Sequence, residues 1–140
     1  MRIVLDTNIV ISALLWRGAP YQLLHTISQH TDIQLYSSAV LLEEFTDVLM
    51  RTAVTKRLAV IDQTAGQVLS DYLDIINLSE LIEISPVARD PDDDHVLACA
   101  YAAQADLIVT GDADLLALQE YQKIRIVDAA TAITLIKEIG

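Results

Sequence analysis

The chain has 140 residues, 53% of them apolar, which is enough to bury a core and too much for a disordered protein. Its 20 acidic residues against 9 basic ones leave a net charge of −11, which repels nucleic acid unless basic residues cluster or bound cations offset the acids. The apolar residues come in short runs, none of them long enough for a membrane-spanning helix.

Segments of strand and helix character alternate along the chain, which predicts an α/β fold with a parallel sheet flanked by helices. The first strand is expected at Arg2–Asp6, and its Asp arrives too early for the apolar core of a secretion signal. A helix follows through Asn8–Leu15, then a turn, then a helix over Tyr21–His30 with Pro20 at its start. A strand at Ile33–Tyr36 leads to Ser37 or Ser38 as N-cap of a helix reaching Met50, and 51–61 reads as a less regular helix. A longer helix, Gln63–Asn77, precedes an expected strand at Leu81–Ile84. Ser85-Pro86 breaks the pattern. Beyond it come a helix at Pro91–Ala103, a strand at Leu107–Thr110, a short helix at Ala113–Glu120, a strand at Ile124–Val127 and a helix at Ala129–Ile139. No repeat or linker divides the chain, so one domain over residues 1–140 is expected. Cys99, the single cysteine, cannot form an internal disulfide, which fits a packing role and a reducing cytoplasm.

Four acids conflict with this pattern or end its strands. Asp6 closes the first strand and Asp112 follows the strand that ends in Thr110-Gly111. In open parallel sheets ligands bind beyond the carboxyl ends of the strands, and right-handed crossovers bring both residues to one edge. Glu44 shares a helix face with Val40, Leu41 and Val48, whereas Glu43 groups with Asp47 and Met50 nearer solvent. Asp90, Pro91, Asp92 and Asp93 make a normal helix start, with a cap, a first-position proline and first-turn acids. Asp94 is left on the stripe of Leu97, Ala98 and Tyr101, and is therefore the expected member of the cluster. A charge on a core face is costly unless it is paired or binds a metal. The simpler readings are that Asp6 and Asp112 cap the helices that follow them, and that Asp114 is a second ligand or a solvated first-turn acid.

Other chemistries fit poorly. Asp90, Asp92 and Asp94 do not open a calcium loop, because its sixth position would be His95 and its twelfth Tyr101. There is no zinc pattern, no phosphate loop, no dinucleotide fingerprint and no Gly-x-Ser-x-Gly elbow. A phosphoacceptor switch would need a lysine past the end of a late strand, and Lys123 precedes its strand. An Asp-x-Asp phosphatase would need an acid where Asn8 stands. Oxygen-only ligands favour Mg²⁺ or Mn²⁺. Arg51, Lys56 and Arg57 form the densest basic group and are the candidates for phosphate contacts, while Trp16 and Tyr21 are aromatic residues that could stack on a ligand or pack.

Asp6-Thr7-Asn8 after an opening strand, Glu44-Phe45 in a helix, Asp94 in its acidic run, and Thr110-Gly111-Asp112-Ala113-Asp114-Leu115 together resemble a PIN domain over essentially the whole chain. The similarity is greatest to bacterial PIN proteins regarded as toxin components of toxin–antitoxin systems, related to VapC. The resemblance implies a three-layer α/β/α sandwich, an Mg²⁺- or Mn²⁺-dependent ribonuclease, a homodimer and a small antitoxin partner. It assigns catalysis and metal binding to Asp6, Glu44, Asp94 and Asp112, with Asp114 as a further ligand and Asn8 and Thr110 in support. The alternative is a PIN-like module that binds RNA or dimerises without turnover.

Overall fold

The computed structural model describes residues 1–139. The chain runs β1 (Arg2–Leu5), α1 (Thr7–Leu15), α2 (Ala19–Ser28), β2 (Gln34–Ser37), α3 (Ala39–Leu49), α4 (Thr52–Val60), α5 (Ala65–Ile75) and β3 (Ile76–Leu78). It continues through α6 (Pro91–Ala103), β4 (Leu107–Val109), α7 (Ala113–Leu118), β5 (Glu120–Tyr121), β6 (Ile124–Val127) and α8 (Ala129–Ile139). The strands form one sheet in the order β3-β2-β1-β4-β6-β5. Every pairing is parallel except β5 with β6.

Strands buried on both faces need apolar side chains at every position, because alternate residues point to opposite sides. β1 shows this directly. Ile3 and Leu5 join a core with α1, α2, α3, α4, α5 and α8, whereas Val4 joins a second core built on α6 and α7. In β4, Leu107 and Val109 face the first core and Ile108 the second. Two helical layers therefore enclose the sheet, the α/β/α sandwich expected.

Starting from β1, the chain moves outward through β2 to β3, then returns across β1 to begin β4 on its other side. The order reverses between β1 and β4, so a crevice opens beyond their carboxyl ends. The backbone N–H of Asp6 donates to the Val109 carbonyl at 2.9 Å and locks the two strand ends side by side.

Two expectations need correction. The third strand is Ile76–Leu78, not Leu81–Ile84, because Ile76, Asn77 and Leu78 align with Leu35, Tyr36 and Ser37 of β2 and the Ser79 N–H donates to the Ser37 carbonyl at 2.8 Å. Residues 81–84 run without a ladder, with Leu81 exposed and Ile84 packed on the second core. The sheet is also not wholly parallel. Gln122 and Lys123, at φ of 50° and 70°, form a two-residue turn that folds Glu120–Tyr121 back onto β6.

Candidate active site

Asp6 is the most buried of the acids, at 6% exposure, and it is the N-cap residue of α1. It does not use its carboxylate as a capping group. Instead the Thr110 hydroxyl donates to Asp6 Oδ2 at 2.7 Å, and the same hydroxyl oxygen accepts the Asp112 N–H at 3.0 Å. One buried threonine thus spaces the two acids across the β1–β4 crevice. Asp112 does cap its helix, accepting the Leu115 N–H at 3.0 Å through Oδ2. Burial raises the Asp6 carboxyl above its ordinary range, opposed by the Thr110 hydroxyl and the Thr7 amide; the Asp112 charge raises it further.

From α6 the structure brings Asp93 to this cluster, where the sequence pattern pointed to Asp94. The Asp93 carboxyl is pushed up to about 7 by burial, then by the charges of Asp112, Asp6 and Asp90, and it lies within hydrogen-bonding reach of Asp112. Asp94 turns the other way. Its Oδ1 accepts the amides of Val87 at 3.2 Å and Ala88 at 2.8 Å, tying down the segment before the helix. The physical reason lies in which face of α6 is buried. Val96, Leu97, Cys99, Ala100 and Ala103 are its core residues, while Tyr101 is 51% exposed. Positions three, four and seven beyond Asp93 are Val96, Leu97 and Ala100, so Asp93 shares the inward stripe. Reading Tyr101 as a core residue had moved the stripe by one position. The signal in the sequence is the apolar set Val96, Leu97, Cys99, Ala100 and Ala103, whose shared face includes Asp93.

Glu44 projects from α3, half-buried, while Glu43 is exposed. Burial raises the Glu44 carboxyl first and the Asp6 charge second, followed by Asp92; His95 opposes them. A groove of about 330 Å³ beside it is lined by Glu43, Glu44, Asp47, Arg51, Asp92 and His95 among others. Asp114 is exposed in the first turn of α7. Of the two expected supporting residues, Thr110 makes the bridge, while Asn8 is exposed and its side chain makes no hydrogen bond among the described residues.

A model of the PIN domain matches residues 2–114. The chain belongs to the PIN domain family. It is 29% identical over 127 residues to the uncharacterized protein MJ1680 of Methanocaldococcus jannaschii, covering 88% of this chain and 78% of that protein. Its fold is similar to a chain in the crystal structure of VapBC2 from Rickettsia felis bound to a DNA fragment from their promoter. The TM-score is 0.60 at 15% identity, covering 90% of this chain and 97% of the other. PIN domains are generally nucleases that use divalent metals.

The acids of this PIN domain suit a hard divalent cation. Carboxylate oxygens and a threonine hydroxyl converge at the rim, without a thiol or imidazole among the residues closest to Asp6. Among the described residues the only close acid–base pair is Asp92 with His95 at 3.8 Å, and no lysine or arginine is paired with the cluster. No group of three or more Asp, Glu, His or Cys side chains there is arranged as a ready-made cage.

The expected basic set is dispersed. Arg51 lines the groove beside Glu44, and Lys56 is exposed on α4. Arg57 is committed elsewhere: its Nε donates to the Leu15 carbonyl at 3.1 Å and its guanidinium lies 4.1 Å from the Trp16 ring centroid. No helix among the described residues is long and apolar enough to cross a membrane.

Proposed function

We propose that this PIN domain is a metal-dependent endoribonuclease, cytoplasmic and homodimeric, acting as the toxin of a toxin–antitoxin pair. The observation that carries this reading is a buried carboxylate, Asp6, at the strand-order reversal, facing further acids, with no lysine or arginine paired to any of them among the described residues. Asp6, Asp93 and Asp112 would hold Mg²⁺ or Mn²⁺, with Glu44, whose carboxyl feels the Asp6 charge, and the exposed Asp114 as further ligands. When bound, the ion would supply Lewis acidity and water activation for phosphodiester hydrolysis. Thr110 fixes the Asp6 carboxylate by donating to Oδ2. Arg51 and Lys56 are the side chains available to position the phosphate backbone. Asp94 serves the site indirectly, by anchoring the segment ahead of α6.

The test is cleavage of single-stranded RNA with Mg²⁺ or Mn²⁺, against an EDTA control and the Asp6→Asn variant. Turnover that survives both chelation and Asp6→Asn would defeat the proposal. The dispersed acids favour one competing reading, a PIN-like module that binds RNA or dimerises without turnover. Calorimetry separates the two, because that module would take up Mn²⁺ negligibly.

A further inference from the structure

We infer that the free margin of β3 is a docking site for an extended, cationic polypeptide segment that adds a strand to the sheet. β3 ends the sheet, and its partner β2 satisfies only one of its sides. Ser79 N–H donates inward to Ser37, so Asn77 and Ser79 face β2 and the N–H and C=O groups of Ile76 and Leu78 point outward. A bare strand margin of this kind is a template for another backbone.

The side chains around it are apolar where a strand would lie. Ile75 is 53% exposed, Leu78 63% and Leu81 73%. Beside the start of β3 is a cleft of about 310 Å³ whose aliphatic wall is Leu24, Ile27, Ile33, Leu35 and Ile75 and whose polar rim is Ser28, His30 and Thr31, with room for an aliphatic side chain of the incoming segment. Main-chain hydrogen bonds provide the grip in such pairing, and pockets for alternate side chains choose the partner.

Charge decides which occupant fits. Asp74 and Glu80 flank β3 and are exposed, and no Lys or Arg occurs between Arg57 and Arg89. A second copy pairing here would set these acids against one another, which costs stability. A segment alternating basic and aliphatic residues would complement both features. This margin lies two strand positions from β1, so the inference is independent of the acidic rim.

The probe is a synthetic peptide of four Lys-Val repeats, titrated into the full chain beside a Glu-Val counterpart. The expected result is binding of the Lys-Val peptide alone, with amide exchange at Ile76 and Leu78 slowed by about tenfold or more. Leu78→Pro deletes an outward N–H without touching the β2 ladder, and should weaken binding by about tenfold at unchanged circular dichroism. The pair Asp74→Lys and Glu80→Lys tests the charge separately and should weaken it comparably, even if the proline variant unfolds. Binding that ignores the charge reversal, or protection confined to the acidic rim, overturns the inference. So does a dimer in sedimentation whose Ile76 and Leu78 amides are already protected without peptide.

Discussion

Asp93 and Asp94 are adjacent and chemically identical, yet the fold gives them opposite tasks. Replacing Asp93 with Asn should lower cleavage by about a hundredfold or more, because a ligand facing Asp6 and Asp112 is lost. Asp94→Asn should leave cleavage within about tenfold but reduce stability by roughly 1–3 kcal/mol, since charged acceptors for the Val87 and Ala88 amides disappear. Steady-state kinetics and denaturant melts on the two variants would check this; equal loss of activity in both would count against it. Asp93 also makes stability pH-dependent in metal-free protein. An acid whose folded pKa is raised binds more protons when native, so stability falls as pH rises from its ordinary 3.8 to about 7. Thermal midpoints should therefore decline across that window in EDTA, and Asp93→Asn should flatten the decline. Asp6, Glu44 and Asp112 were legible as candidates in the sequence because a strand end or a helix face singled them out. On α6 the structure turns Asp93, not the expected Asp94, toward Asp6 and Asp112, because Tyr101 is exposed and a wheel of 100° steps then puts the buried stripe one position earlier.

At the scale of elements, local chemistry explains why so much of the secondary structure could be read. Ser38 accepts the Leu41 N–H at 3.3 Å and opens α3; Asp90 accepts the Asp92 N–H at 3.0 Å and, with Pro91, opens α6. Ser38→Ala should cost about 0.5–2 kcal/mol in urea unfolding, with an unchanged slope against denaturant. The placement of β3 was not legible, because Leu81-Ile82-Glu83-Ile84 has more strand character than Ile76-Asn77-Leu78. What selects the latter is register against β2, including the Asn77 Nδ2 bond to the Leu35 carbonyl at 3.3 Å, and tertiary pairing outweighs propensity. Arg57 likewise reads as a surface cation until its packing is known. Because Lys cannot reproduce the planar stack on Trp16, Arg57→Lys should loosen α4 by about 1 kcal/mol. Faster amide exchange in α4 would register it.

For the molecule as a whole, a charge of −11 limits how RNA can be held. With Arg57 occupied, Arg51 and Lys56 provide at most two phosphate contacts near the groove. The plot of log binding constant against log salt should then have a slope no steeper than about −2. Filter binding of RNA across a salt series, in EDTA and with the metal held constant, would measure it. A slope of −5 would place RNA on a surface other than this one. The sheet's two extremities are unlike. The far one is closed off by a two-residue hairpin arm, Glu120–Tyr121, too short to template anything, while the opposite one stays open. A slab with a single receptive side can recruit one neighbour and then has nowhere left to grow, so strand addition in this protein terminates where two receptive sides would propagate into a filament.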